Sequence, residues 1–334
     1  MKQIRIGEQM TSALGIGAMS FSDFYGATTD AQSFAILDAA MDAGVRHIDT
    51  SNVYGMGRSE SVIGAWLQAN PNARPGAHDG LHIATKGGIN RSGTGAEPFD
   101  NSPEHLEAML DQSLQRLGVD CVDLYYVHRR ETARPIEEVT ETLAGLVAKG
   151  KTRSIGFSEI APHSLRRAAA VHPVAAVQSE YSPGTRLPEL GLIQACADVD
   201  TAFVAFSPVL RGLLTDTPVT PERVADNGLL AQIPRFQEPN LSANLGYAER
   251  FRALAADMGV PAAGLAVAWC MAQGDHVLPI PGTRSVAHFN ELVAGANRSL
   301  SAEDLARIAA VLPVGWAHGD RYSEALWRGP EGYC

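Results

Sequence analysis

Lysine is scarce in this 334-residue chain: only Lys2, Lys86, Lys149 and Lys151 occur, while arginine is abundant. Either residue serves as a surface cation, so the scarcity reads mainly as a coding bias. It draws attention to Lys86, because a buried amine that tunes a neighbour is a task arginine does poorly. Cysteine is sparse too, and Cys121, Cys196, Cys270 and Cys334 form no Cys-x-x-Cys pair. That argues against a zinc ribbon, a dithiol redox motif or a disulfide framework. Cys121, Cys196 and Cys270 lie in apolar surroundings and are expected as small core residues. His78 and His82 are four apart, but Gly80 intervenes at a strand entrance, so no helical zinc face and no metal site is expected. Positive charge is in deficit, with a net charge of −10. This argues against general nucleic-acid binding and anionic membranes but leaves room for a local basic pocket. No apolar run approaches the ~20 residues of a membrane span, and Met1–Gly7 lacks the apolar core of a signal peptide. The expectation is a soluble, cytoplasmic protein. No Gly-x-x-x-x-Gly-Lys-Ser/Thr loop occurs. The nearest match to Gly-x-Gly-x-x-Gly, Gly15-Ile16-Gly17-Ala18-Met19-Ser20, lacks the third glycine.

What is present is an alternation of strand-like and helix-like segments. Apolar residues make up 45% of the chain, enough for a large core. After an N-terminal hairpin over residues 4–10, strands are expected at 13–17, 46–49, 81–86, 122–128, 152–157, 175–178, 202–206 and 277–280. Ser102-Pro103-Glu104 supplies a cap, a first-turn proline and an acid, followed by Leu106, Met109, Leu110, Leu114 and Leu117 at helical spacing. Pro135 opens another helix that Gly150 stops, and Ser301-x-x-Asp304 reads as a capping box. Eight βα repeats point to a closed parallel (β/α)8 TIM barrel occupying residues 1–334 as one domain, with an open doubly wound sheet as the rival. Between the last two strands, an extended loop at 211–241 precedes helices at 242–258 and 261–273 and is expected over the barrel mouth. The tail with Trp316, Tyr322 and Trp327 could fold back over the same opening.

Four strand ends carry reactive groups. Asp49 ends His47-Ile48-Asp49, and Tyr54 follows in the next loop. Lys86 ends Leu81–Lys86, and His128 ends Val122–His128. Parallel barrel strands bring such ends to one mouth. There an acid, a phenol, an amine and an imidazole can deliver a proton to a carbonyl oxygen. A free phenol titrates near ~10, so an adjacent ammonium is expected to lower the pKa of Tyr54. Asp49 would hold Lys86 charged, and His128 would orient the carbonyl. Taken singly, Asp49–Lys86 could equally be a structural ion pair and Tyr54 a packed loop residue.

The order Asp49-x4-Tyr54-Gly55, Ala84-Thr85-Lys86 and Tyr126-Val127-His128 resembles the catalytic tetrad of the aldo-keto reductases. Further stretches resemble that family: Ala13-Leu14-Gly15-Ile16-Gly17, Phe21–Gly26, Gln178–Ser182, Pro234–Gln237 and Ile280-Pro281-Gly282-Thr283-Arg284. They are most similar to a bacterial and fungal branch with pyridoxal-reductase-like members. The resemblance implies NADPH-dependent reduction of a small-molecule aldehyde or ketone, with NADP(H) held by barrel loops. Gly17 and Met19 would belong to the cofactor set. Ser158 and Gln178 would bind the nicotinamide carboxamide, and Phe206 would stack on the ring where a Tyr is usual. Ser207 and Arg211 are candidates for the pyrophosphate. Gly282, Arg284 and Ser285 suit the 2′-phosphate. His288 stands at the usual basic position, Glu291 keeps the acid or amide, and Leu292 replaces the usual adenine-contacting Asn. Gly184 stands where the branch commonly has Trp, which would either open the mouth or serve a turn. Phe24, Tyr25, Arg129 and Trp316 are substrate-pocket candidates, with core packing or a surface ion pair as the alternatives. Arg129 would clamp an anionic or phenolic substrate. Two rival functions remain. One is a cofactor-binding regulatory subunit resembling potassium-channel β-subunits, for which an added N-terminal segment or a large acidic interaction surface is expected. The other is NAD-linked alcohol oxidation, motivated by His288 and Leu292.

Overall fold

The computed structural model describes residues 1–90 and 98–333. Among the described residues there are ten strands: β1 (Gln3–Ile6), β2 (Gln9–Ser12), β3 (Gly15–Gly17), β4 (His47–Asp49), β5 (His82–Gly87), β6 (Leu124–Val127), β7 (Ile155–Ser158), β8 (Ala176–Glu180), β9 (Ala202–Phe206) and β10 (Val277–Pro279). Strands β3 to β10 lie side by side in chain order, each parallel to the next. The seam between first and last is drawn together by the Gly17 N–H donating to the Pro281 carbonyl at 3.0 Å. Nearly every residue of these strands is buried, as expected of a parallel sheet covered on both faces. The architecture is the expected (β/α)8 barrel.

The eight expected strands are all present, with shifted ends. The segments at 122–123 and 152–154 leave the ladder; their strand pairing is reduced to an isolated bridge between Val122 and Thr152, with the Ser154 hydroxyl donating to the Asp123 carbonyl at 2.6 Å. The Asp123 carboxylate takes the Ile83 N–H at 2.8 Å while its own N–H donates to the Ile83 carbonyl at 3.0 Å, so a side chain supplies one of the two bonds there. The hairpin β1–β2 turns at Gly7 in the left-handed region (φ +59°). Its alternation buries Ile4 and Ile6 against the inward residues Ala84, Leu124, Ala176 and Val204, plugging the end of the barrel opposite the mouth. A second, larger apolar layer lies between the sheet and the helices, as in Ile83, Leu106 and Leu110.

The helix signals hold. Pro103–Leu117 is capped by Ser102, Ile136–Ala148 follows Pro135, and Ala302–Val311 carries a complete capping box from Ser301 and Asp304. Asn240–Asp257 and Ala262–Met271 fill the interval between β9 and β10. The stretch 207–239 is not featureless loop: short turns and the helix Pro221–Ala225 fold it across the mouth. No single helix among the described residues is long and apolar enough to cross a membrane. Cys196 and Cys270 are core residues, Cys121 is only half-buried at a loop, and Cys334 lies outside the described residues.

Candidate active site

A cavity of about 1130 Å³ opens at the C-terminal ends of the strands. Asp49, Tyr54 and His128 line it, while Lys86 lies fully buried just beneath its floor. The Lys86 ammonium touches the Asp49 carboxylate, donates to the Thr50 carbonyl at 2.8 Å, and stands 3.3 Å from the Tyr54 hydroxyl. Gln178 donates to the second Asp49 oxygen at 2.8 Å. The Tyr54 and His128 rings meet edge to face, with centroids 5.8 Å apart. The four side chains singled out by their strand ends therefore converge.

Local backbone explains how Tyr54 reaches the mouth. Gly55 (φ +59°), Met56 (φ +54°) and Gly57 (φ +95°) form a left-handed run directly after it. A Cβ on Gly55 would sit 2.9 Å from the Ser22 Cβ, so the Tyr-Gly pair is required both by φ and by close approach of the neighbouring loop. Gly87, at the end of β5, lies against the Tyr125 hydroxyl, where a Cβ would approach to 2.0 Å. The His128 N–H donates to the Gly87 carbonyl at 2.8 Å, which fixes the imidazole's strand end beside that of Lys86.

The electrostatics refine one expectation. Burial of the phenol raises the Tyr54 pKa and outweighs the lowering by Lys86, so the net shift is upward from 10. The ammonium is visible in the sequence, whereas the loss of water around the phenol is set by the folded packing. Burial opposes the charge on Lys86, but Asp49 and then Tyr54 overcome it and hold the ammonium above its ordinary pKa. Burial pushes Asp49 upward, against Lys86 and Gln178. The pair is taken as ionised near neutrality, because the rise at Lys86 itself requires a carboxylate partner. The phenol is thus protonated at neutral pH, beside a fixed cation that favours its anion when the proton leaves.

Ser51, which the sequence reading passed over, is fully buried with its hydroxyl 3.1 Å from His128 Nδ1. It accepts from the Val53 N–H at 3.4 Å. A hydroxyl that accepts there can donate to Nδ1, which would leave the imidazole proton on Nε2. Nothing in the local sequence signals this contact; it arises from the loop after β4 passing under the end of β6.

The expected cofactor residues line one connected wall. Gly17, Met19, Ser158, Gln178, Phe206, Ser207, Arg211, Gly282, Arg284, Ser285, His288 and Glu291 all border the cavity. Gly17 and Gly282 let two backbones meet: a Cβ on either would lie 2.7 Å from a carbonyl oxygen of the facing segment. Ser207, Leu210 and Arg211 are left-handed non-glycine residues (φ +52°, +51° and +54°), a concentration of backbone strain at the cavity edge. Arg211 is less free than expected of a phosphate ligand. It donates to Glu180 at 2.9 Å and to the Tyr25 hydroxyl at 3.2 Å. Ser285 caps the helix Val286–Ala296. Arg284 has its pKa lowered by burial and then by Arg223, a cation from the helix over the mouth that no local motif marks.

Of the pocket candidates, Phe24, Tyr25 and Arg129 line the cavity and Trp316 does not. Trp316 is 3% exposed, donates to the Pro183 carbonyl at 2.9 Å and packs on Tyr247 with ring centroids 5.3 Å apart. Its role is to seat the tail. Gly184 does not widen the mouth either, because Leu210 and Trp316 occupy the space where a side chain would go. The tail does fold over the opening, contributing Tyr322, Leu326, Arg328 and Gly329 to the cavity wall.

The tail is fastened by buried charge. Arg321 pairs with Glu159, Glu180 pairs with Arg211, and Arg235 approaches Glu180 to 3.6 Å. Burial would raise Glu180, but Arg211, Arg321 and Arg235 together hold it below the usual carboxylate range. The network ties β7, β8, the segment over the mouth and the tail into one frame.

Residues 13–313 match the sequence model of the Aldo/keto reductase family. The chain is 36% identical over 322 residues to the NADP(+) aldo-keto reductase yakc of Schizosaccharomyces pombe, covering 95% of this chain and 93% of that one. It is 35% identical to a probable aldo-keto reductase of Glycine max, over 98% of this chain and 93% of that one. Its fold superposes on a glycerol dehydrogenase from Gluconobacter oxydans with a TM-score of 0.79 at 27% identity, over 93% of this chain and 95% of that one.

Proposed function

This chain belongs to the aldo/keto reductase family, and from that premise we propose that it reduces an aldehyde or ketone to the alcohol with NADPH, Tyr54 giving the proton. The observation that carries this reading is the Tyr54 hydroxyl 3.3 Å from a fully buried ammonium, at the floor of the cavity and beside His128. The residues present fit the nucleotide. Gly17 and Gly282 let the first and last strand ends close against each other along the wall, and Arg284 and Arg223 bring positive charge to the cavity beside a helix start. Gln178 and Ser158 offer amide and hydroxyl groups where a carboxamide would lie, and Phe206 offers a ring face. When bound, the reduced nicotinamide supplies hydride to the carbonyl carbon.

The chain's own groups do the rest. His128, with Ser51 holding Nδ1, points a donor at the carbonyl oxygen and fixes its direction. Tyr54 passes its proton to that oxygen as negative charge develops there. Lys86 stabilises the phenolate so formed, and Asp49, braced by Gln178, holds Lys86 in place. The carbonyl gains one hydride and one proton in all, and the phenol recovers its proton from solvent. The raised pKa suits this direction, because the donor is loaded at neutral pH.

A panel of aldehydes and ketones assayed by loss of NADPH absorbance tests the proposal. Turnover of aldehydes by the intact chain, reduced by a factor of roughly 10²–10⁴ in Tyr54→Phe, is the expected outcome. Undiminished turnover in that variant would remove Tyr54 from the reaction.

A further inference from the structure

We propose that the substrate is an aryl aldehyde bearing an anionic group, a carboxylate or phosphate, held by Arg129. The inference rests on the reductase reading and deepens it. Three arginines near the reacting end are paired with acids: Arg130 with Glu331, Arg211 with Glu180 and Arg321 with Glu159. Arg223, Arg284 and Arg328 also border the cavity with no carboxylate bonded among the described residues, but Arg129 is the one of the four that adjoins His128. Its guanidinium donates to the His128 carbonyl at 2.7 Å, the Ser158 hydroxyl at 3.1 Å and the Tyr322 hydroxyl at 3.3 Å, all neutral acceptors. It is half-buried, and its charge lowers the pKa of Tyr54, so it acts on the reacting end of the cavity.

The acids that border the cavity do not oppose an anion there. Among the described residues they are Asp49, Asp216 and Glu291. Asp49 is matched by Lys86. Asp216 accepts from the Ala262 N–H at 3.1 Å, and Glu291 lies on the helix that begins after Ser285. Arg328, from the tail, adds a second cation to the same wall. The chain as a whole carries −10, so this end of the cavity runs against the overall charge. A partly desolvated guanidinium whose partners among the described residues are all neutral favours an anionic ligand, most strongly a planar one that accepts two N–H bonds. Phe24, Val53, Ile89, Phe99 and Leu326 supply apolar and aromatic surface for the body of such a molecule.

The test compares 4-carboxybenzaldehyde and 4-formylphenyl phosphate with methyl 4-formylbenzoate, a neutral aldehyde of similar size. The read-outs are kcat/KM with NADPH and, independently of turnover, calorimetric binding of 4-(hydroxymethyl)benzoate and its methyl ester. At least one anionic aldehyde is expected to exceed the ester by about tenfold or more, since a hydrogen bond to a charged group contributes roughly 1.5–3 kcal/mol. Which anion wins identifies the group. In Arg129→Gln the ratio is expected to fall toward one, in binding as in turnover, and Arg129→Lys is expected to restore part of it. If Arg129 only secures the tail through Tyr322, the variants would weaken ester and acid alike and leave the ratio unchanged, which would overturn the proposal. So would an intact enzyme that prefers the ester. Failure to oxidise NADPH with any aldehyde would instead strike the reductase reading, and the calorimetric comparison would still decide the anion site.

Discussion

Replacing Lys86 by methionine separates the two things this ammonium does. The side chain is 0% exposed, so methionine of similar length keeps the packing and removes only the charge. Its loss strands the Asp49 carboxylate, itself 1% exposed, with Gln178 as its remaining side-chain partner. Removing one partner of a buried pair costs about 3–5 kcal/mol. It also takes away the cation 3.3 Å from the Tyr54 oxygen. At an effective dielectric of 20, two unit charges at that separation attract by about 5 kcal/mol. Asp49 offsets part of that field, so the expected loss in turnover is on the order of 10³. The double variant Lys86→Met with Asp49→Asn distinguishes the effects. With no carboxylate left stranded, it should recover most of the stability and none of the rate. Urea unfolding followed by tryptophan fluorescence reads the first quantity, and NADPH absorbance with one reducible aldehyde reads the second. A single variant within about 1 kcal/mol of the parent would refute the coupled-pair argument. A double variant that regained turnover would show that the ammonium is not what favours the departing proton.

Other consequences follow from neighbouring contacts. Ser51→Ala removes the hydroxyl at His128 Nδ1 and should lower kcat about tenfold or more while leaving NADPH affinity within a few-fold; a KM effect alone would assign Ser51 to substrate binding. Gly55→Ala forces a Cβ into the left-handed region and onto the Ser22 Cβ at 2.9 Å, so a destabilisation of about 1–2 kcal/mol with a fall in kcat is expected; full activity would mean that the Tyr54 loop is more adaptable than its packing implies. Arg284→Gln should weaken NADPH binding about tenfold and leave NADH nearly unaffected, as fluorescence titration would read; equal losses would place Arg284 away from the 2′-phosphate. At the plugged end of the barrel, His47 and His82 share a 3.0 Å contact between their Nδ1 atoms, which needs one ring to stay neutral. Burial lowers both pKa values below 6.5, with His82 adding to the effect on His47. Their contribution to stability is then complete above about pH 6.5 and is lost as pH falls toward the lowered folded values. The urea midpoint should drop between pH 7.5 and 5.5, and His82→Asn should flatten that slope; an unchanged slope would clear the pair of the effect.

The sequence by itself determined the eight strands, the helices with caps, and the four reactive side chains, because these are local facts. Apolar period, Ser102-Pro103 and Ser301-x-x-Asp304 act within a few residues, and a parallel barrel sends every strand end to the same rim. It also marked the wall from Gly17 to Glu291 through motifs whose order matched a known family. What it could not decide were contacts between distant segments. Trp316 turned inward to seat the tail, Leu210 filled the space beside Gly184, and Arg223 entered the cavity from a helix in the segment over the mouth. The sign of the shift at Tyr54 belongs to the same class. Lys86 was visible as a neighbour in the motif, but the loss of water around the phenol depends on every element packed about it, and that loss is the larger effect. Arg129, likewise, was a cation in a pattern until the fold set it on neutral acceptors beside His128 at the edge of the cavity.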